Sequence, residues 1–309
     1  MKLDDSMEKK NNIIIHEVGP RDGLQVEVDT VPTEQKIRWI EELINSGIDI
    51  IQLGSFVNPK RVPQMADTDE LFGYFSVQGK KNDKVVLSGL VLNEKGLERG
   101  MACGVDMFCM GVSASETHSM KNTGMSTEEA LGRIIGMSKN VIESGKKIQL
   151  SVQSAFGCGY EGKIPESRVL DIVKKYIDAG IMNISLADTA GHANPAQVEK
   201  LFSSILSINP DVQLSCHFHN TYGLGIVNCY TAWKTGVTFF ESSFAGLGGC
   251  PFTAIASGNV CTEDLVHMFN TMDLRDDIKL DKIIEVSADA QEFFKRELPG
   301  NLLKIQKNK

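Results

Sequence analysis

Two histidines separated by one residue, His217 and His219, are the part of the sequence best suited to chemistry. Side chains at positions i and i+2 of a β-strand project from the same face, so two imidazoles with this spacing can bind one metal ion. The same spacing occurs where two core histidines form hydrogen bonds with neighbouring carbonyl groups. The spacing alone therefore leaves both a metal site and a structural pair open.

A second group of reactive side chains lies near the N-terminus, in the segment EVGPRDGLQ (17–25). The cationic Arg21 favours the ionised form of Asp22, which prepares this carboxylate to bind a metal. An ordinary Asp-Gly turn at Asp22 and Gly23 is the alternative. Arg21 can polarise a carbonyl group or bind a carboxylate through two hydrogen bonds, or it can form an ion pair at the rim of the fold. Glu17 opens the same segment.

Three further polar residues lie beside glycines or at the ends of apolar runs: Cys250, Asn259 and Asp188. Cys250 follows two glycines that allow motion and close approach, and its thiol can donate or accept a proton; a small buried cysteine is the alternative. Asn259 is placed to cap the helix that follows it. Asp188 can orient a base or accept hydrogen bonds from backbone amides.

Eight short apolar, β-branched runs recur along the chain, with amphipathic helical patterns between them. In residues 34–47 the apolar positions share one face, and Ser46-Gly47 ends the pattern. Ser126 and Glu129 have the spacing of a helix capping box. Apolar strands that alternate with helices indicate a parallel sheet covered by helices. The runs lie at 13–19, 48–55, 84–92, 106–113, 147–156, 182–189, 213–220 and 239–248.

Eight strand–helix units predict a single (β/α)8 TIM barrel, in which the active site lies where the strands end. An open doubly wound sheet is the alternative, but no GxGxxG motif follows the first strand. The barrel places polar side chains from several strand ends around one opening, Gln52 at the end of the second strand among them. We expect residues 12–300 to form this domain, between tails at 1–11 and 301–309.

Charge and composition argue against several classes of function. A formal net charge of −8 over 309 residues does not suit a nucleic-acid groove, which needs a basic field. No apolar run approaches the roughly 18–20 residues of a membrane span, and the polar start MKLDDSMEKKNN lacks the apolar core of a secretory signal. The seven cysteines show no CxxC spacing, so neither a disulfide framework nor a thiolate zinc site is indicated. We therefore expect a cytoplasmic protein with no nucleic-acid or membrane partner.

Taken together, the motifs resemble those of the 3-hydroxy-3-methylglutaryl-CoA lyase family, within the DRE-TIM metallolyase superfamily. The matching segments span almost the whole chain in the family's order, which makes the set far more specific than any single motif. They are EVGPRDGLQ (17–25), SFVNPKRVPQM (55–65), GCGYEGKI (157–164), LADTAG (186–191), HFHNTYG (217–223), AGLGGCPF (245–252) and ASGNVCTEDL (256–265).

The resemblance implies a divalent metal, Mg2+ or Mn2+, and an acyl-CoA substrate that is cleaved to acetyl-CoA and a keto acid. It implies that Arg21 polarises the thioester carbonyl and that Cys250 handles the proton of the acetyl-CoA enolate. Asp188 and His217 are the candidates for removing the proton of the tertiary hydroxyl group. A homodimer is a possible assembly. The metal ligands implied by the resemblance are Asp22, His217, His219 and Asn259.

The chain departs from this family's pattern at two positions. Gln52 stands where the family's lyases usually carry glutamate, and Asn220 replaces the aspartate that usually follows the second histidine. Gln52 and Glu17 remain catalytic candidates because both lie at strand ends. The missing charge at Gln52 leaves a related substrate open, such as a longer-branched glutaryl or a citramalyl thioester.

Three other functions remain as alternatives. A Claisen synthase of the same superfamily usually adds a C-terminal regulatory domain, whereas this chain ends soon after its eighth unit. A Schiff-base aldolase needs a lysine at a strand terminus, but Lys84 and Lys147 lie at strand beginnings and Lys60 lies in a loop. A barrel that binds a ligand without turnover is favoured only by Gln52, and metal content together with thioester cleavage would distinguish it from an enzyme.

Overall fold

The structure is a computed structural model that describes residues 13–77, 80–249 and 258–306. Its centre is a closed barrel of eight parallel strands in sequence order, in which the last strand pairs with the first. The predicted TIM barrel is therefore confirmed. The strands are β1 (Ile14–Glu17), β2 (Ile50–Ser55), β3 (Val86–Leu90), β4 (Met107–Ser113), β5 (Lys147–Gln153), β6 (Asn183–Asp188), β7 (Gln213–Phe218) and β8 (Phe239–Ser242).

Helices follow the strands and cover the outside of the barrel. They are α1 (Thr33–Ser46), α2 (Thr68–Ser76), α3 (Glu94–Ala102), α4 (Glu116–Thr123), α5 (Thr127–Glu143), α6 (Glu166–Asp178), α7 (Pro195–Ile208), α8 (Gly225–Thr235), α9 (Thr262–Asn270), α10 (Leu280–Phe294) and α11 (Asn301–Gln306). Within the described ranges, no helix combines the length and apolar character needed to cross a membrane.

The helix ends follow local sequence signals. In α1 the residues Ile40, Leu43 and Ile44 are buried against the barrel, and Gly47 ends the helix in the left-handed conformation. The predicted capping box at the start of α5 is present: the Ser126 hydroxyl accepts the Glu129 amide, and the Glu129 carboxylate accepts the Ser126 amide. Such contacts fix a helix end because they satisfy backbone groups that the helix leaves unpaired.

The inside of the barrel changes from apolar to polar along the strands. Near the strand beginnings, Ile50 and Met107 form a small buried apolar cluster with Cys109. Further along the strands, buried polar side chains such as Ser185 and Glu241 replace the apolar ones. This polar layer lies beneath the strand ends, where the active sites of this fold are found.

The turn after β8 connects the barrel rim to the last helices. The Ala245 amide, in the 3-10 turn Phe244–Gly246, donates to Glu263 Oε2 in α9 and to Ser287 Oγ in α10, each at 3.0 Å. In α11, which lies in the segment predicted as a C-terminal tail, the first amides donate to the carboxylate of Asp264. The turn after β8 is thus bonded to α9 and α10, and α9 is bonded in turn to α11.

Candidate active site

Three of the predicted metal ligands converge at the C-terminal end of the barrel. Asp22 lies in the π-helical turn Gly19–Gly23 after β1, His217 lies on β7, and His219 follows that strand. One ligand atom from each of the three residues lies within 4.8 Å of the others. His217 Nε2 is 3.2 Å from His219 Nε2 and 3.9 Å from Asp22 Oδ2. All three side chains are buried, and no comparable group of His, Cys, Asp and Glu occurs elsewhere in the described ranges.

Asn259, the fourth predicted ligand, contacts this cluster directly. Its Nδ2 donates to Asp22 Oδ2 and to the Leu247 carbonyl, each at 2.9 Å. Its Oδ1 is buried and has no hydrogen-bond partner in the part of the chain that the structure describes. A buried amide oxygen without a donor is costly unless a ligand completes it. The predicted helix-capping role is not observed, because α9 begins only at Thr262.

Gly248 allows the loop after β8 to pass over the bond between Asn259 and Asp22. Its φ is +114°, and a Cβ atom at this position would lie 2.3 Å from Asn259 Nδ2 and 3.3 Å from Asp22 Oδ2. A larger residue would therefore both strain the backbone and displace a predicted ligand. Cys250, the predicted proton donor to the enolate, lies outside the described residues.

Arg21 contacts the cluster through Asp22 Oδ1, whereas the His217 ring lies near Asp22 Oδ2. Its Nη1 donates to Asp22 Oδ1 and its Nε donates to Gln52 Oε1 on β2. Gln25 Nε2 also donates to Asp22 Oδ1, at 3.0 Å. Burial acts to raise the pKa of Asp22, but Arg21 and the two histidines outweigh it, and the pKa falls below its ordinary value. Asp22 is therefore ionised at neutral pH, as a metal ligand must be.

Glu17 is not part of the ligand cluster. Its Oε1 accepts the amides of Gly19 at 2.6 Å and Phe244 at 3.1 Å, and its Oε2 accepts the Thr262 hydroxyl at 2.6 Å. Burial raises its pKa to about 7, although these hydrogen bonds oppose the shift. The carboxyl group thus joins the turn after β1 to the turn after β8. That contact keeps Asp22 beside Asn259.

Asp188, at the end of β6, is held by the backbone of its own loop. Oδ1 accepts the His192 amide at 2.8 Å, and Oδ2 accepts the Ala193 amide at 3.1 Å. Burial raises its pKa to about 6, against the effect of these amides and of the nearby charge of His217. Asp188 is therefore fixed in place with a pKa closer to neutrality than that of an exposed aspartate.

Glu241 on β8 is a functional candidate that the sequence analysis missed. It lies opposite His217 in the strand pairing, and its Oε2 is 3.0 Å from His217 Nδ1. Burial acts to raise the pKa of Glu241, but the bond and charge of His217 dominate and lower it to about 2. The sequence does contain a signal for Glu241: it is a lone acidic residue inside the apolar run of a buried strand, and such a residue needs a partner.

The two histidines differ in their surroundings. Burial acts to lower the pKa of His217, but Glu241 and Asp22 raise it above its ordinary value. Burial and the neighbouring His217 lower the pKa of His219 to about 4, so His219 is neutral at pH 7 and its ring can act as a ligand. Two neutral Nε2 lone pairs cannot face each other at this distance without a proton or a cation between them.

The donor set fits a divalent cation. It consists of one carboxylate, two imidazoles and one amide oxygen, with no thiolate among the described residues around it. A donor set of oxygen and imidazole without thiolate is unlike the cysteine-containing sites of structural zinc.

Comparison with known proteins agrees with this geometry. The sequence model of the HMGL-like family matches residues 12–289. The chain belongs to the HMGL-like family. It is 37% identical over 297 residues to a hydroxymethylglutaryl-CoA lyase of Bacillus subtilis, which covers 96% of this chain and 98% of that relative. It is 36% identical over 294 residues to an (R)-citramalyl-CoA lyase of Chloroflexus aurantiacus, with 93% of each chain covered. The family assignment made from the motifs is confirmed.

A solved structure shows the same fold in a related enzyme. An HMG-CoA lyase from Acinetobacter baumannii, in complex with coenzyme A and 3-methylmalate, matches with a TM-score of 0.88 and 38% identity over 94% of each chain. The architecture that positions the ligand cluster is thus shared by members of the HMGL-like family.

The first prediction tests the ligand cluster without using activity. In His219→Ala, the Kd for Mn2+ should rise more than roughly 100-fold, because loss of a direct ligand costs more than the 10- to 100-fold typical of outer partners. Mn2+ titration of EDTA-treated protein, followed by electron paramagnetic resonance, measures this value. His267→Ala removes an exposed imidazole from α9 and should leave the Kd unchanged. Unaltered Mn2+ binding in His219→Ala would show that the cluster is not the metal site.

Proposed function

We propose that this protein is a divalent-metal-dependent carbon–carbon lyase that cleaves 3-hydroxy-3-methylglutaryl-CoA, or a closely similar thioester, to acetyl-CoA and acetoacetate. The observation that carries the proposal is the ligand cluster of Asp22, His217 and His219, with the Arg21 guanidinium bonded to one of its members. A cation site and an oxyanion-binding group side by side suit the two charges that develop in a retro-Claisen cleavage. The names of the relatives in the HMGL-like family support the same reaction.

Asp22, His217, His219 and Asn259 would hold the cation, with Mg2+ or Mn2+ as the proposed ion. Bound there, it would act as a Lewis acid that eases ionisation of the C3 hydroxyl group. All three side chains of the cluster are buried, which limits the access of water to the ion that they would hold. Burial strengthens every charge interaction in the cluster.

Asp188 is the group that we assign to removal of the hydroxyl proton. His217 was the other candidate, but its Nδ1 is bonded to Glu241 and its Nε2 belongs to the ligand cluster. Asp188 has a pKa of about 6, raised by burial, and a general base works best when its pKa lies near the operating pH. The amides of its loop hold the carboxylate still while it acts.

Arg21 is the group that we assign to the thioester carbonyl. When the C3 hydroxyl loses its proton, a ketone forms at C3 as the C2–C3 bond breaks, and the electron pair of that bond enters the thioester as an enolate. The guanidinium can donate hydrogen bonds to this new oxyanion, which has more negative charge than the original carbonyl oxygen. Gln52 and Asp22 fix the orientation of the guanidinium by accepting from its Nε and Nη1.

The enolate carbon must then receive a proton to give the methyl group of acetyl-CoA. We assign this proton to Cys250 from its place after Gly248-Gly249 in the sequence, since a thiol is a suitable acid at this step.

We assign to Glu17 the role of positioning the turns after β1 and β8. Its carboxyl group already accepts hydrogen bonds from Gly19, Phe244 and Thr262. Cytoplasmic location and a homodimer stay predictions.

Acetyl-CoA release from a panel of acyl-CoA thioesters tests the proposed reaction. With Mg2+ or Mn2+ present, 3-hydroxy-3-methylglutaryl-CoA should yield equal amounts of acetyl-CoA and acetoacetate, and exhaustive EDTA treatment should abolish the release until either ion is restored. Chromatography of the CoA products with an enzymatic assay of acetoacetate measures both. A protein that binds Mn2+ but releases no acetyl-CoA from any 3-hydroxyacyl-CoA would be a binding protein rather than a lyase.

Substitution of Arg21 separates chemistry from substrate binding. Arg21→Met should lower kcat by roughly 100- to 1000-fold with little change in KM, because its contact strengthens mainly as the oxyanion forms. Steady-state kinetics with metal-saturated enzyme gives both constants. Arg133→Met, which removes a guanidinium that pairs with Glu94 on the barrel exterior, is the control and should behave as wild type. A large rise in KM with unchanged kcat in Arg21→Met would assign Arg21 to binding instead.

A second candidate function, cleavage of a related 3-hydroxyacyl-CoA, is favoured by Gln52. Its Oε1 accepts from Arg21 Nε in a buried position, where a glutamate would place a second carboxylate next to the guanidinium. Neutral Gln52 makes the cavity less negative, which suits a more acidic or more polar acyl group. The similarity to a citramalyl-CoA lyase is consistent with this candidate.

Exchange of the amide for a carboxylate decides between the two candidates. If the second is correct, Gln52→Glu should raise kcat/KM on 3-hydroxy-3-methylglutaryl-CoA, whereas Gln52→Ala, which removes the bond to Arg21 without adding charge, should lower it on every substrate. Competition assays between this thioester and citramalyl-CoA measure the change in preference. Wild-type kcat/KM above about 10⁴ M⁻¹s⁻¹ on 3-hydroxy-3-methylglutaryl-CoA, the lower range of proficient enzymes, would rule the second candidate out.

A further inference from the structure

We propose that Glu241 is a positioning residue that fixes the tautomer and the orientation of His217, and thereby sets the affinity of the site for its cation. The inference rests on the proposed metal site. It follows from a chain of hydrogen bonds inside the barrel that runs from two serine hydroxyls through Glu241 to His217.

The direction of the bond between Glu241 and His217 follows from the chemistry of its two ends. An ionised carboxylate can only accept hydrogen bonds. The hydrogen in the 3.0 Å contact must therefore be on His217 Nδ1. In a neutral imidazole with hydrogen on Nδ1, Nε2 carries the free lone pair. Nε2 is the atom that faces His219 Nε2 and Asp22 Oδ2.

The carboxylate of Glu241 is itself fixed by its neighbours. Its Oε1 accepts the hydroxyl of Ser185 at 2.7 Å and that of Ser215 at 3.1 Å, which leaves Oε2 for His217. Ser185 on β6 pairs with Ser215 on β7, and His217 on β7 pairs with Glu241 on β8. Three neighbouring strands therefore determine where the His217 ring points.

No equivalent partner is found for the second imidazole in the described ranges. His219 Nδ1 is buried, and it neither donates nor accepts a hydrogen bond within those ranges. The backbone of His219 is instead paired with that of Asn259. Asp22 is oriented by Arg21 and Asn259. Of the cluster's side chains, His217 is thus the one whose orientation depends on a buried carboxylate.

The test compares the metal affinity and the histidine tautomer in Glu241 variants. Glu241→Ala removes the acceptor, and its Kd for Mn2+ should rise roughly 10- to 100-fold, as is usual when the outer partner of a ligating histidine is lost. Glu241→Gln can turn its amide so that the oxygen still accepts from His217 while the nitrogen donates to the serines, and its Kd should lie between those of Glu241→Ala and wild type. Mn2+ titration of the metal-free proteins gives these values. Glu94→Ala, which removes a carboxylate that pairs with Arg133 on the barrel exterior, should leave the Kd unchanged.

A second readout distinguishes positioning from a purely structural role. In metal-free wild type, nitrogen NMR of labelled histidine should show His217 with hydrogen on Nδ1, and in Glu241→Ala the two tautomers should be mixed. A structural role would lower the melting temperature but leave the tautomer and the Kd as in wild type. That result in Glu241→Ala would overturn the inference.

Three further outcomes also bear on the inference. If Glu241→Ala does not fold, Ser185→Ala combined with Ser215→Ala keeps the carboxylate but frees its orientation, and the Kd for Mn2+ should rise several-fold; an unchanged Kd in this double variant would contradict the inference. If wild type itself binds no Mn2+, the proposed metal site fails. If wild type binds Mn2+ and the Glu241 variants bind it equally well, only the role of Glu241 fails.

Discussion

Closure of the barrel by the pairing of β1 with β8 is the constraint on which the whole site depends. Asp22 follows the first strand and Asn259 follows the last, and the bond between their side chains joins residues 237 positions apart. Barrel formation already bears the entropic cost of bringing these distant segments together. The long-range bond between Asp22 and Asn259 therefore forms with little further loss of chain entropy. The pairing of β1 with β8 also brings together the two turns that follow these strands, which Glu17 joins by accepting an amide from each.

Burial of several charges in one place imposes a second constraint. A lone buried charge is strongly unfavourable, so each charged group at the site must be neutralised by an adjacent one. Asp22 is bonded to Arg21, and Glu241 is bonded to His217. Gln52 alters this balance without altering the hydrogen bonding, because it accepts from Arg21 as a glutamate would but adds no charge. Exchange between glutamine and glutamate at position 52 can thus change the net charge of the site while the hydrogen bond to Arg21 is kept.

The sequence predicted the features that depend on local pattern. Apolar periodicity predicted the eight strands and the barrel, and the family resemblance of the short motifs implied that Asp22, His217 and His219 lie together. The sequence left open whether Asp188 orients a base or accepts backbone amides, and it could not show that Glu17 accepts amides from two different turns. Glu241 was missed for the same reason. Its partners are set by the register between β6, β7 and β8, which is a non-local property that no single segment encodes.

The buried polar atoms without partners at the site lower the stability of the folded chain. Asn259 Oδ1 and His219 Nδ1 are buried without a partner among the described residues, and two imidazole nitrogens face each other at 3.2 Å. Each buried polar atom left unpaired costs about 1–3 kcal/mol, which is a large share of the net stability of a folded domain. A cation bound by Asn259 Oδ1 and the two Nε2 atoms would remove part of that cost and would bind only the folded chain, whereas His219 Nδ1 points away from the position between them. Its binding free energy therefore adds to the free energy of unfolding. The closed barrel holds these groups side by side, and the arrangement leaves Asn259 Oδ1 and the two facing Nε2 atoms as donors for a cation.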